Sequence, residues 1–121
     1  KDVNKLAGVT MNGKDGTISS SGITLVFKND SDKQCTYGEF FILEEKINKS
    51  WYEVPVTING NYGFNDIGYE LFPGDNRELV VDWDWLYGNL DGGEYRIIKD
   101  ILDFRGTGDF DKYYLTVEFT I

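Results

Sequence analysis

The nine residues that end the chain constrain its fold more tightly than any other stretch. Tyr113, Leu115, Val117, Phe119 and Ile121 share one parity, and Tyr114, Thr116, Glu118 and Thr120 share the other. A period of two is that of a strand buried on one face. The same alternation sets Leu79, Val81 and Trp83 against Glu78, Val80 and Asp82, and Ile23, Leu25 and Phe27 against Thr24, Val26 and Lys28. From Thr36 to Lys46 the apolar run Phe40–Leu43 loads both faces. Phe41 and Leu43 are assigned inward there, because the other parity continues into Glu44 and Lys46. Trp51 to Val56 reads as a further strand after a tight turn of Asn48, Lys49 and Ser50, and Pro55 confines it to an edge or a strand end.

Turn signals separate these runs at Asn29–Lys33, Asn59-Gly60, Pro73-Gly74-Asp75, Asp91-Gly92-Gly93 and Gly106–Gly108. The best helical candidate, Trp85 to Asn89 with Asp84 as N-cap and Gly88 near its end, is about one turn long. With 121 residues the chain has the size of one domain. The expectation is an all-β antiparallel sandwich of seven to nine strands over residues 8–121, preceded by a loosely attached segment, residues 1–7.

Asp91, Gly93 and Tyr95 have the D-x-G-x-Y spacing of a tyrosine corner, with Ile97 two positions further as a core residue. Glycine allows the bend, the tyrosine hydroxyl returns to backbone upstream, and Trp83 falls into the core by parity. Asn29-Asp30-Ser31-Asp32, Tyr37-Gly38, Trp51-Tyr52-Glu53, Leu71-x-Pro73-Gly74, Trp83-x-Trp85-Leu86-Tyr87-Gly88, Leu90-x-x-Gly93-x-Tyr95-Arg96 and Glu118-Phe119 follow in order. Together they resemble the bacterial immunoglobulin-like domains of exported lipoproteins and surface proteins, over about residues 8 to 121. The resemblance implies an immunoglobulin-like sandwich, an extracellular or cell-surface location and a protein or cell-wall partner. It carries over no catalytic residue. Asp103 to Lys112 departs from the pattern.

The formal charge is −9 with no histidine, so phosphate backbones are repelled and no nucleic-acid partner is expected. No apolar run is long enough for membrane insertion. Without histidine and with Cys35 alone, the usual zinc and copper ligand sets and histidine-based triads are missing. Cys35 reads as a buried or half-buried free thiol. Asp82, Asp84, Asp100 and Asp103 are the carboxylates to consider for acid–base work, but nothing in the sequence gives them a cleft. Gly13, Gly16, Gly60, Gly63 and Gly68 read as turn glycines, because no lysine or helix follows in the manner of a phosphate loop.

Asp103, Asp109 and Asp111, spaced by Gly106 and Gly108, offer oxygen ligands, but the spacing matches no established calcium loop. With Arg105 they form a candidate interaction loop on a solvated hairpin, and no metal or cofactor is assigned. Trp83, Trp85, Tyr87 and Tyr69 are candidates for an aromatic platform. The first functional expectation is a non-catalytic extracellular module of a secreted or lipid-anchored bacterial protein, serving protein interaction or acting as a spacer. The alternative is a proteinase inhibitor that uses Thr57–Gly68 or Asp103–Lys112 as a substrate-like loop.

Overall fold

The structure, a computed structural model, describes residues 2–57, 63–64 and 67–121, so the turn expected at Asn59-Gly60 lies outside the described residues. Among the described residues nine strands form two antiparallel sheets. The smaller contains β1 (Val9–Gly13), β2 (Gly22–Asn29) and β7 (Asn76–Asp82), in the order β1-β2-β7. The larger is built on β8 (Glu94–Gly106), which pairs along one edge with β9 (Asp109–Thr120). Its other edge pairs first with β4 (Ile42–Ile47) and then with β3 (Cys35–Tyr37), so these two short strands form one interrupted rail. β5 (Ser50–Glu53) extends the sheet beyond β4, and β6 (Tyr69–Leu71) extends it beyond β3. This is the immunoglobulin-like sandwich, in which Phe27 of β2 stacks on Tyr37 of β3 and Trp83, just past β7, stacks on Phe119 of β9.

The alternation decides what fills the interior. Ile23, Leu25 and Phe27 from β2, Leu79 and Val81 from β7, and Ile97, Ile101, Leu115 and Phe119 from β8 and β9 are all buried. Phe41 and Leu43 are buried, and Phe40 is exposed. Trp83 is fully buried, donates from Nε1 to the carbonyl of Ser20 at 2.7 Å and stacks on Phe119. Phe119 also stacks on Tyr95, whose hydroxyl donates to the carbonyl of Asp91 at 2.8 Å. A Cβ on Gly93 would stand 3.0 Å from a Glu45 carboxylate oxygen and in ordinary contact, 3.4 Å, with the Tyr95 ring, so the close neighbour of Gly93 is the carboxylate.

Several local expectations shift. The turn between β4 and β5 is Asn48-Lys49 alone, both at positive φ, and Ser50 already pairs with Ile47. β5 ends at Glu53, before Pro55. The one-turn helix α1 runs Asp84–Tyr87 with Trp83, not Asp84, at the N-cap and without a side-chain cap. The indole is committed to the core, and its backbone N–H is held by the carbonyl of Ser21. In the N-terminal segment, Asn4 Oδ1 accepts from the Thr116 N–H at 3.0 Å, the Asn4 N–H donates to the Tyr114 carbonyl, and Leu6 is in the core. Asn29 is fully buried. Its Nδ2 donates to the carbonyls of Lys33 and Leu71 and its Oδ1 accepts from Ser31, which ties the end of β2 to β6.

The rail is broken by a buried charge. Tyr37 pairs with Ile101 and Ile42 with Ile98, so the four residues Gly38–Phe41 oppose only Lys99 and Asp100. Lys99 shares the inward parity of Tyr95, Ile97 and Ile101 and has no accessible surface. Its ammonium donates to the carbonyls of Gly38 and, at 2.7 Å, of Phe40, and lies 6.0 Å from the centre of the Tyr37 ring. These are the carbonyls that lose ladder partners where the strand bulges away.

Burial lowers the Lys99 pKa from the ordinary 10.5 to about 8, against the pull of the Asp100 and Glu39 carboxylates. A neutral amine keeps two N–H donors, so both carbonyls remain bonded on either side of this titration. The charged form therefore carries a desolvation cost that is fully present below the folded pKa. Between about 8 and 10.5 the unfolded chain holds a proton the folded chain has released, and stability rises with pH. Burial raises the pKa of Tyr37 and Tyr95 above 10.0, which gives the opposite slope above that pH. Equilibrium denaturation from pH 7 to 10 is expected to show a rise of roughly 2 kcal/mol that Lys99→Met removes. A slope unchanged in the variant would contradict the burial of this charge. At the corner, Tyr95→Phe is expected to cost about 1 to 3 kcal/mol, because the Asp91 carbonyl loses its donor. A change under about 0.5 kcal/mol would mean the hydroxyl contributes nothing there.

Candidate interaction surface

The bulge that Lys99 fills also sorts two consecutive phenylalanines. Phe41 turns into the core, Phe40 turns out, and both meet the Phe64 ring edge-on with centroids 5.3 Å away. On its far side Phe64 packs against Trp85 at 5.6 Å, again edge-to-face. Trp85, carried out of the core by α1, is held by its Nε1 donating to the carbonyl of Asp82 at 2.8 Å. The result is a continuous aromatic strip, Phe40–Phe64–Trp85, across the side of the sandwich where β7 ends the smaller sheet.

Two open hollows flank Phe64. One, of about 450 Å³, lies between Phe40, Ile67 and Leu102 and carries Glu39 and Asp100. The second, of about 410 Å³, lies between Phe41, Val80 and Trp85 and carries Glu39 and Asp82. Among the described residues no lysine or arginine lines either hollow. Glu39 accepts from the Tyr69 hydroxyl at 3.1 Å, and Asp100 lies 3.8 Å from the Lys112 ammonium.

Of the four aromatics expected as a platform, Trp83 and Tyr87 are buried and Tyr69 is half-buried on Tyr37; Trp85 alone reaches the exposed strip. Phe40 and Phe64 complete it in their place. On β5, Trp51 lies under the Arg96 guanidinium, 4.5 Å from its ring centre, and Arg96 is paired with Glu44 at 2.6 Å; Tyr52 faces outward.

The stretch Asp103–Lys112 is strand rather than loop. β8 and β9 stay paired to Gly106 and Asp109, with an irregularity between Phe104 and Gly106, and the turn is Thr107-Gly108, with φ of 76° at the glycine. Strong β pairing such as Phe104 with Phe110 carries the ladder into sequence that its glycines and aspartates made look like a loop. Arg105 ties the candidate loop residues together, reaching Asp103 at 3.2 Å, Asp109 at 3.1 Å and Asp111 at 3.1 Å. Asp103 is itself buried beside Cys35, a buried free thiol whose pKa is raised by burial and then by that carboxylate. Among the described residues no group of three or more His, Cys, Asp or Glu side chains is placed to hold a metal ion, and no helix is long and apolar enough to cross a membrane.

The four carboxylates considered for acid–base work come from three elements. Asp82 ends β7, Asp84 opens α1, and Asp100 and Asp103 sit on opposite faces of β8. The residue the sequence reading missed is Lys99. Its parity with Tyr95, Ile97 and Ile101 was the available signal, and a lysine in an inward position of a central strand calls for a defect in the neighbouring strand to receive it.

Comparison with curated protein sequences finds no match. Among solved structures, the archaellum periplasmic stator protein FlaG from Sulfolobus acidocaldarius is similar at 14% identity and a TM-score of 0.44, over 92% of this chain and 99% of that one. A family model described as a bacterial Ig-like domain matches residues 5–120. The chain therefore belongs to the bacterial Ig-like domain family.

Proposed function

We propose that the chain is a non-catalytic extracellular module of a secreted or lipid-anchored bacterial protein, and that its role is protein interaction rather than spacing. Family membership supports the module and its bacterial setting. The observation that carries interaction over spacing is the aromatic strip. Phe40 and Trp85 are each more than two-fifths exposed beside Val80, which is 68% exposed. A spacer has no need of a contiguous apolar surface, and such surfaces on soluble domains mark contact sites.

In this reading Asp91, Gly93, Tyr95 and Trp83 serve stability, through the corner and the buried indole, with no contact to a ligand. Asp103, Arg105, Asp109 and Asp111 stiffen the end of the β8–β9 hairpin through one shared guanidinium. A stiff paired hairpin is a poor mimic of an extended protease substrate, which weighs against inhibition through Asp103–Lys112.

The test pairs a binding screen with activity assays. The domain is offered peptidoglycan fragments, glycans and purified cell-surface proteins, and is assayed for hydrolysis and for inhibition of subtilisin-like and trypsin-like proteases. Expected is micromolar binding, about −8 kcal/mol, to at least one protein, weakened about tenfold or more in the Phe40→Ser/Trp85→Ser double variant, with no turnover. Failure to bind any of them would assign the domain to spacing. Protease inhibition lost on replacing 103–112 with a short glycine linker would assign it to the inhibitors.

A further inference from the structure

Among the described residues no strand pairs with the outer edge of β7, which runs beside the aromatic strip. In the β2–β7 pair, the Trp83 N–H bonds to the Ser21 carbonyl and the Asn29 N–H to the Asp75 carbonyl. The register pairs Ile23 with Val81 and Leu25 with Leu79. Odd-numbered residues of β7 therefore point their backbone groups toward β2, and even-numbered ones point theirs away. The Asp82 carbonyl on that outer side is taken by the Trp85 indole. The Val80 N–H and C=O have no protein partner among the described residues. Val80 thus presents an unpaired donor and acceptor directly above the hollow that holds Glu39, Phe64, Asp82 and Trp85.

We propose, building on the interaction reading, that this edge receives an extended, basic segment of a partner protein. The segment adds as a strand at Val80, and a lysine or arginine side chain enters the hollow to meet Glu39 and Asp82 against the Phe64 and Trp85 rings. Charge selects this occupant. Among the described residues that line the hollow, both charged groups are carboxylates and none is a cation, and the chain carries −9 overall. Asp82 has no ion pair among the described residues, and Glu39 keeps acceptor capacity beyond its bond to Tyr69. Two carboxylates beside apolar ring surface suit the charged head and aliphatic stem of a lysine or arginine.

Other occupants fit less well. A sugar ring stacks on an open flat face and needs donors as well as acceptors. Here the rings pack edge-on at 73° to 79°, and the indole N–H is already used. A second copy pairing edge to edge about Val80 would set Asp82 opposite Glu78, a like-charge pair that opposes the ladder.

A synthetic peptide of alternating arginine and valine is the probe, with its glutamate–valine counterpart as control, each titrated into the 15N-labelled domain. Expected are shift changes at the Val80 and Asp82 amides and the Trp85 indole, saturating below about 1 mM and weakening as salt is raised. Asp82→Asn with Glu39→Gln is expected to weaken binding about tenfold, and so is Val80→Pro, which removes the edge N–H. If Val80→Pro does not fold, Val80→Lys keeps the backbone, opposes the basic segment and is expected to give the same loss. Shifts confined to another face, equal binding of the acidic peptide, or binding untouched by these variants would overturn the proposal. Silence toward the peptide from a domain that binds another macromolecule in the screen would overturn the edge assignment and leave the module reading standing.

Discussion

A single buried ammonium sets the shape of the larger sheet. Lys99 sits in the core face of the central strand, where a charge is costly unless its hydrogen-bonding capacity is met. The main chain meets it by breaking. Gly38–Phe41 leave the ladder, and the carbonyls of Gly38 and Phe40 turn in to accept from it. Donor and acceptors solve each other's problem: a continuous strand would leave the lysine without partners, and an apolar residue at 99 would leave the bulge carbonyls without donors. From that exchange follow the division of the rail into β3 and β4, the opposite headings of Phe40 and Phe41, and the aromatic strip.

Much of the frame was readable beforehand because its signals are local. Alternation in Tyr113–Ile121, Leu79–Trp83 and Ile23–Phe27 depends only on which face of a strand is buried. Phe41 and Leu43 were assigned by the same rule. The hidden parts depend on partners far away in sequence. Lys99 reads as an ordinary charged residue until its strand lies beside Gly38–Phe41, some 60 positions earlier. Asn29, with its neighbouring aspartates and serine, looks like a surface turn, yet its amide is buried because β6 supplies the Leu71 carbonyl. Trp83 lies in the core as its parity requires, and it also takes the cap position expected of Asp84, because the cap follows the buried indole rather than cap preference.

The aromatic strip is the least legible feature, and the reason is geometric. Trp85, Phe40 and Phe64 come from three different connections, and no spacing in the sequence links them. Their juxtaposition comes from the bulge, from the one-turn helix that carries Trp85 outward, and from the position of Phe64 beside both. The acidic hairpin attracted notice in the sequence because its aspartates cluster visibly, yet Arg105 already satisfies them in the folded chain. Visible clustering of one charge is therefore a weaker guide here than an unpaired backbone edge, which composition does not show at all.

The account rests on the Lys99 amine being enclosed between the sheets and bonded to the bulge. The most direct measurement is a residue-specific NMR titration of the Lys99 side chain, following the Cε and Nζ resonances from neutral to alkaline pH. A midpoint of about 8, with amine protons protected enough to show contacts to the Gly38–Phe41 backbone, is the predicted result. A midpoint at the ordinary 10.5, with fast-exchanging amine protons, would contradict it.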